Sequence, residues 1–430
     1  MIYYNETHKH MDFSSTQQIA YDHYLNGDNV FITGPGGTGK SYFIKKVYEN
    51  AKKRNLNVSV TAMTGCAALL LDCNAKTIHS WGSIGLGTDP IEMIQSRIVK
   101  YRKRDIWLNT DILIIDEVSM MSCELFELLF KIAQHFRRNK KPFGGIQVIF
   151  SGDFHQLPPV TKDSAFCFES LLWEECFKHS VILKENFRQT SDPVYQVILN
   201  EIREGVISKQ SKDILNTCLN KPQLDNVSPT LLYPVKRLSE QVNISEHVCL
   251  EGKEHIFKMK YIEPPNKKIE EELIKQKKNM IVDESLRLKV GSQVMCIINL
   301  DQDNGIVNGS QGKVVGFDNN NHPMVKFFYK NTSRIISYHT WHNATYGTNG
   351  IQQIPLILSW AITIHKSQGI TLEYANINIG SNIFECGQSY VALSRVKSLE
   401  GLYIQGLDFS KIKANPKVLR FYENLSVNLT

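Results

Sequence analysis

Residues 29–53 constrain the fold of this chain more than any other stretch. Asn29-Val30-Phe31-Ile32-Thr33 is an apolar run of strand length, and Gly34-Pro35-Gly36-Gly37-Thr38-Gly39-Lys40-Ser41 follows it at once. Ile44, Val47, Tyr48 and Ala51 then repeat at helical spacing. A buried strand that turns through glycines into a helix belongs to a parallel α/β sheet, because the helix must carry the chain back across the sheet. The loop matches G-x-x-x-x-G-K-[ST], whose backbone cradles the phosphates of a nucleotide. Glycines let successive N–H groups turn toward phosphate oxygens, and the helix N-terminus adds partial positive charge. Lys40 is placed for the β- and γ-phosphates, and the Ser41 hydroxyl for Mg2+. ATP or GTP is the expected ligand.

The alternation continues to about residue 180, with strands expected at 57–62, 111–115 and 146–150 and helices at 40–53, from 64, and at 122–138. Ser122 is an N-cap candidate for the last of these, and Leu125, Leu128, Ile132 and Phe136 form its core stripe. Between 81 and 105 the pattern lapses into Trp81-Gly82-Ser83-Ile84-Gly85-Leu86-Gly87 and a basic run at Lys100, Arg102, Lys103 and Arg104, which reads as a small insertion. A second α/β block is expected from about 181, with a strand at Thr230-Leu231-Leu232-Tyr233 and a polar surface excursion at 264–285. Inside it, from 305 to 355, runs such as Lys313-Val314-Val315-Gly316-Phe317 and Met324-Val325-Lys326-Phe327-Phe328 alternate with asparagine-rich turns, the pattern of a small β-barrel-like module.

A chain of 430 residues exceeds what one core usually holds. Its 49 Lys and Arg against 43 Asp and Glu give a net charge of +6, which permits a nucleic-acid partner without requiring one. Nine scattered cysteines without a C-x-x-C pair argue against a zinc site or a disulfide framework, and a reducing compartment is expected. The start at Met1 lacks signal or transit character, and no apolar stretch is long enough to span a bilayer. A soluble, intracellular protein with no membrane partner is the expectation.

Ile112-Leu113-Ile114-Ile115 ends in Asp116 and Glu117, a buried strand delivering two acids to its C-terminal edge. In a phosphate-loop enzyme the first acid holds Mg2+ and the second polarises the attacking water. Ser151-Gly152-Asp153-Phe154-His155-Gln156-Leu157-Pro158-Pro159 follows the next strand, so Gln156 can sense a γ-phosphate at the same edge, while His155 reads as a surface or packing residue. Arg188, in Glu185-Asn186-Phe187-Arg188-Gln189, and Arg395, in Tyr390-Val391-Ala392-Leu393-Ser394-Arg395, are candidate arginine fingers. Trp360-Ala361-Ile362-Thr363-Ile364-His365-Lys366-Ser367-Gln368-Gly369 mixes small polar donors with one lysine and suits phosphate contacts.

Taken in order, these segments resemble the Pif (petite integration frequency) helicases, a superfamily-one DNA helicase family related to RecD, over nearly the whole chain. The resemblance makes Gln17 the adenine-reading glutamine and Gly34, Pro35, Gly36, Gly37, Thr38, Gly39, Lys40 and Ser41 the ATP loop. Gly369 joins the nucleotide contacts, and Ser41 with Asp116 holds Mg2+. Lys40, Glu117, Gln156, Arg188 and Arg395 become the hydrolytic residues, and Thr64, His79, Thr363, His365 and Lys366 the DNA contacts. Glu124 to Gln147 resembles the family's signature region, and Gly309-Ser310-Gln311-Gly312-Lys313-Val314 opens an SH3-like subdomain.

The fold it implies is α/β, with two RecA-like domains and parallel sheets: residues 1–180 with an insertion at about 77–107, and 181–304 with 356–430, interrupted by the SH3-like insertion at 305–355. ATP would bind between the domains, and single-stranded DNA would cross their tops with movement from 5′ to 3′. Forked or structured DNA is the expected substrate, in replication, repair or recombination, and a monomer is expected in the absence of DNA. Sixteen residues precede Gln17 and the chain stops soon after Arg395, so the family's variable terminal extensions are expected to be nearly absent. Weaker candidates for backbone contact are the basic runs at 100–104, Arg137-Arg138 and Lys140-Lys141. Two other readings fit the same motifs: a superfamily-one helicase that moves on RNA, and a nucleotide-gated DNA clamp that does not unwind.

Overall fold

A computed structural model describes residues 13–427 except 72, 160–163, 220, 223–227, 263–269, 271–272, 275–276, 278–279, 281, 302–303, 329–330, 343–348 and 381. The polar stretch expected at 264–285 therefore lies largely outside the described residues. Among the described residues no helix is long and apolar enough to cross a membrane.

The first sheet is built from β1 (Val30–Thr33), β2 (Val58–Ala62), β3 (Lys76–Thr77), β4 (Ile112–Asp116), β5 (Gln147–Ser151) and β6 (His179–Ile182), in the order β3-β2-β4-β5-β1-β6. Every pairing is parallel. Both faces are covered, which is why β1 and β4 are buried along their whole length and read as unbroken apolar runs. Alternate residues serve opposite layers. Val30, Ile32, Ile112 and Ile114 face a core shared with α1 (Ser15–Asn26), α2 (Lys40–Lys53) and α3 (Gly65–Leu70). Phe31, Leu113 and Ile115 face the other core, with α4 (Ile78–Gly82), α5 (Ile91–Lys100), α6 (Arg104–Asn109), α7 (Cys123–Arg137) and α8 (Leu172–Cys176). Ser122 caps α7 as its position suggests, accepting from the Leu125 N–H.

The boundary expected at 180 falls inside β6, which pairs with β1 from Val30 opposite His179 to Thr33 opposite Ile182. The chain end behaves similarly. The C-terminal helix Pro416–Val427 puts Val418 and Tyr422 into the first domain's second core, although residues 356–430 were expected to belong to the other domain. Both departures have one cause, since the apolar neighbours that pay the entropy of ordering these segments lie across the chain and not beside them in sequence.

The second sheet is also parallel, with four strands in the order Ala361–Thr363, Thr230–Tyr233, Ala375–Ile379, Leu402–Leu407. Its core takes in α9 (Pro193–Glu204) and the helix Gln388–Leu393. The β module is an antiparallel five-stranded sheet in the order Ser333–Ile335, Pro323–Phe327, Gln311–Phe317, Gln293–Cys296, Leu356–Leu358. It draws strands from both sides of the 305–355 span, and Phe257, Leu286 and Leu288 complete its core.

Candidate active site and nucleic-acid face

The C-terminal ends of β1, β4, β5 and β6 open on one crevice, where parallel α/β sheets place their ligands. β1 leads into Gly34, whose φ of 147° and position 2.6 Å from the Leu183 carbonyl oxygen, measured from where a Cβ would stand, admit only glycine. Gly37 and Gly39 also lie in the left-handed region. Lys40 folds back under the loop, its Nζ donating to the carbonyls of Gly34 at 2.6 Å and Pro35 at 3.0 Å, and the Thr38 hydroxyl donates to Pro35 at 3.0 Å. Burial lowers the Lys40 pKa, while Asp153, Glu117 and Asp116 pull it back up. Gln17 is buried in the first turn of α1. Its Oε1 accepts from the Ser14 N–H, completing a capping box, and its Nε2 reaches the carbonyls of Thr38 at 3.3 Å and Gly39 at 3.5 Å.

β4 ends on Asp116, which is buried, and Glu117, which sits at φ 57°, a left-handed conformation that a non-glycine residue adopts at a cost. Burial raises the pKa of both acids, and with Asp116 beside it Glu117 rises to about 7. The Ser41 hydroxyl stands in the exposed first turn of α2. Hard oxygen donors next to a phosphate cradle, with two acids crowded at one strand end, are a donor set that suits Mg2+. Gln156 is buried, its N–H donating to the Asp153 carbonyl at 2.8 Å. Its own carbonyl oxygen lies 2.4 Å from where a Cβ on Gly387 would stand, so it touches the residue that opens the helix leading to Arg395.

Both arginines reach the phosphate loop. Arg188 donates to the Ser394 carbonyl at 2.9 Å, and Arg395 donates to the Val391 carbonyl and the Ser394 hydroxyl, each at 2.8 Å. A Cβ placed on Gly36 would stand 3.5 Å from Arg188 Nη1 and 3.6 Å from Arg395 Nη2. Burial with Arg395 alongside lowers the Arg188 pKa to about 9. Two guanidinium groups side by side, with Glu117 as the acid facing both, make a positive wall against the loop that suits a phosphate.

Sequence reasoning missed several partners. The Tyr390 hydroxyl accepts the Gly36 N–H at 2.9 Å, and Gln368 donates to Glu117 Oε2 at 2.9 Å, so the second domain touches both the loop and Glu117. A Cβ on Gly369, expected at the nucleotide, would stand 2.8 Å from Leu70 of α3, and Gln368 beside it bonds Glu117. Asp153 is fully buried in a two-pronged ion pair with Arg203 of α9, with contacts at 2.8 and 3.0 Å. Burial alone would raise its pKa, but Arg203 holds the carboxyl down at about 2. No local pattern marks Arg203, because its partner lies fifty positions away.

The expected DNA contacts gather around the meeting of α3 with the 363–369 segment. Thr64 caps α3 by accepting from the Ala67 N–H at 3.1 Å, and Cys66 and Leu70 of that helix pack on the second core. Thr363 ends its strand and accepts from the Lys366 N–H at 3.1 Å, which turns His365 outward and leaves Lys366 half-exposed. His79, in α4, is half-buried, and burial lowers its pKa. The basic runs separate by role. Arg137 donates to the carbonyls of Trp107, Leu108, Thr110 and Gly144 and ties α6 to α7, so the signature-like region is a packing unit. One other trio of metal-ligating side chains among the described residues, His23, Asp28 and His179, lies at the far end of β1 and β6. Its imidazoles stack at 4.1 Å, and their nitrogens lie 3.0 and 3.8 Å from one Asp28 carboxylate oxygen.

A family model described as PIF1-like helicase matches residues 13–213, and one described as DNA helicase Pif1, 2B domain, matches residues 274–317. The crystal structure of Pif1 helicase from Candida albicans is 33% identical, with a TM-score of 0.76, over 97% of this chain and 100% of that one. The chain belongs to the PIF1-like helicases. Another solved structure, Pif1 helicase from Bacteroides in complex with ADP-AlF3 and ssDNA, is 28% identical, with a TM-score of 0.67, over 97% of this chain and 98% of that one. The ATP-dependent DNA helicase PIF1 of Xenopus laevis is 36% identical over 428 residues, which are 97% of this chain and 65% of the relative; the chain thus spans just under two thirds of that relative's length. Within this PIF1-like helicase, the 2B match covers the strands Ser285–Leu288, Gln293–Cys296 and Gln311–Phe317 of the β module.

Proposed function

We propose that this PIF1-like helicase is an ATP-driven motor that moves 5′ to 3′ along single-stranded DNA and unwinds forked or structured duplexes. The observation that carries the reading is the reach of Arg188, Arg395, Tyr390 and Gln368 onto the phosphate loop and Glu117. ATP in the loop adds phosphate charge in front of Arg188 and Arg395, beyond that of Glu117, so binding closes the cleft and hydrolysis releases it. Glu117 orients and deprotonates the attacking water, Gln156 senses the γ-phosphate, and the two arginines stabilise the charge that spreads over the transferring group. Mg2+ held by Ser41 and Asp116 would offset the charge of the phosphate oxygens. Gln17 grips the loop from the side on which the family reads adenine. Thr64, His79, Thr363, His365 and Lys366 grip the strand through its backbone, giving binding that falls with salt and carries little sequence preference. The Bacteroides relative described with ADP-AlF3 and ssDNA supports both ligands, and the name of the Xenopus relative supports the activity. We further propose residues 13–182 with the helix Pro416–Val427 as the first domain, and residues 183–415 as the second domain with its β insertion.

The test is strand displacement on duplexes with a 5′ or a 3′ single-stranded tail, with Lys40→Ala and Arg395→Ala as controls. A 5′ tail should be required, and both variants should fail to unwind. Preference for the 3′ tail, or unwinding by Lys40→Ala, would sink the reading. ATPase stimulation stronger with RNA than with DNA would transfer it to RNA.

A further inference from the structure

One hydroxyl sits where three parts of the molecule meet. Tyr422 Oη, from the C-terminal helix, donates to Asp153 Oδ1 at 3.3 Å, accepts the Phe154 N–H at 3.1 Å and contacts the Thr33 hydroxyl at 2.5 Å. Thr33 ends β1 one residue before the phosphate loop, and Asp153 and Phe154 begin the segment that carries Gln156. Asp153 is at the same time the buried partner of Arg203, whose helix packs in the second core. The Arg203 guanidinium lies 5.0 Å from the centre of the Tyr422 ring, and the His155 ring stacks on the same ring at 4.8 Å.

The route by which Tyr422 arrives is as informative as its contacts. The chain leaves the second sheet after Leu402–Leu407 and passes α9 so closely that a Cβ on its left-handed cap, Gly205, would stand 2.6 Å from the Ala414 nitrogen. It then lies down on the first domain. Phe421 stacks on Phe168 at 4.3 Å, and Lys417 pairs with Glu169 at 2.6 Å. The last helix is thus a strap between the two motor halves.

Contacts across the cleft differ in how readily they part. Arg188 and Arg395 can exchange carbonyl partners for phosphate, and the Glu117–Gln368 bond can break as the cleft opens. Asp153 and Arg203 have no such exchange, because a fully buried carboxylate stripped of its guanidinium is strongly destabilised. Motion between the domains must therefore leave this pair nearly fixed and turn around it.

We propose that Asp153, Arg203 and Tyr422 form the pin about which the two domains rotate, with Tyr422 a positioning residue that ties the rotation to the phosphate loop and to Gln156. The inference rests on the ATP-motor reading above. Its test is the number of ATP molecules hydrolysed per nucleotide advanced, measured on single-stranded DNA and in strand displacement, alongside thermal unfolding. Tyr422→Phe removes only the hydroxyl, and Arg203→Lys keeps the charge but loses the two-pronged geometry. Both should raise that ratio about five- to thirty-fold, the range that corresponds to one or two lost hydrogen bonds. Val418→Ala, which weakens the core packing of the same helix and leaves Asp153, Arg203 and Tyr422 in place, should lower the melting temperature and leave the ratio unchanged. A wild-type ratio in Tyr422→Phe, or an equal rise in Val418→Ala, overturns the pin. Failure of the motor reading looks different: the wild-type protein itself would hydrolyse ATP without advancing on DNA.

Discussion

The hydrogen bond from Gln368 to Glu117 sets a measurable link between the hydrolytic acid and the second domain. It is 2.9 Å long, partly buried, and made to a carboxylate. Bonds of this kind contribute about 1.5–3 kcal/mol, and their loss leaves the charge without its donor. If the bond forms only when the cleft is closed, Gln368→Ala lowers the closed population by about ten- to a hundred-fold, and the apparent ATP affinity falls by the same factor. A fluorescent ATP analogue, titrated on DNA-bound protein at pH 8, reads that affinity directly; at that pH Glu117, raised to about 7, is ionised in the free protein. Glu117→Gln abolishes hydrolysis but keeps the analogue bound, and it turns the bond into a neutral one contributing only about 0.5–1.5 kcal/mol. In that background Gln368→Ala should cost correspondingly less, leaving a coupling of about 1 kcal/mol or more between the two positions. Additivity within about 0.5 kcal/mol would refute the link. So would an unchanged affinity in Gln368→Ala alone.

Gly34→Ala and Gly36→Ala should separate fold from function. The first forces a Cβ against the Leu183 carbonyl at a φ of 147° and should lower the melting temperature, whereas the second meets only ordinary contacts and should melt like the wild type while hydrolysing ATP poorly, since its methyl faces both arginine tips. Arg137→Ala leaves four carbonyls without their donor and should cost on the order of 2–3 kcal/mol in chemical unfolding, with no effect on the salt dependence of DNA binding. Lys366→Ala should do the reverse, reducing the slope of log affinity against log salt on single strands by about 0.7 at unchanged stability. The Asp153 carboxyl, lowered from 3.8 to about 2 in the fold, contributes stability that is complete above its unfolded value and is lost as pH falls through the folded one. Melting curves of wild type and Asp153→Asn should therefore converge as the pH is lowered from about 4 to about 2; a constant difference would remove Asp153 from that role.

The phosphate loop, the acids at the end of β4 and the position of Gln156 were legible because each rests on local chemistry: a glycine that must be a glycine, or an apolar strand that can only end on its charges. The arginines were legible as fingers aimed at the phosphates, but not their protein partners, since nothing local says that Arg188 and Arg395 share Ser394 and face Gly36. Gln368 and Tyr390 lay inside segments already singled out and were passed over because a glutamine or tyrosine carries no spacing rule of its own. Gly369 was named as a nucleotide contact through the resemblance alone, and its closeness to Leu70 of α3 could not be read from the sequence. Arg203 and Tyr422 were invisible, because their partners are brought to them only by the packing of α9 and of the C-terminal helix. The same cause hid the membership of β6 in the first sheet and the outer strands of the β module: pairing between distant segments leaves no mark on either one alone.

The strand order β3-β2-β4-β5-β1-β6 separates two tasks that a motor of this kind must combine. β1, which leads into the loop, is walled in by β5 and β6. The chain enters α4 to α6 from β3, at the rim, with β2, β4 and β5 between that strand and β1. An edge tolerates changes of length that an interior strand cannot. A change of length at the β3 rim therefore leaves β1, its two neighbours and the loop in place.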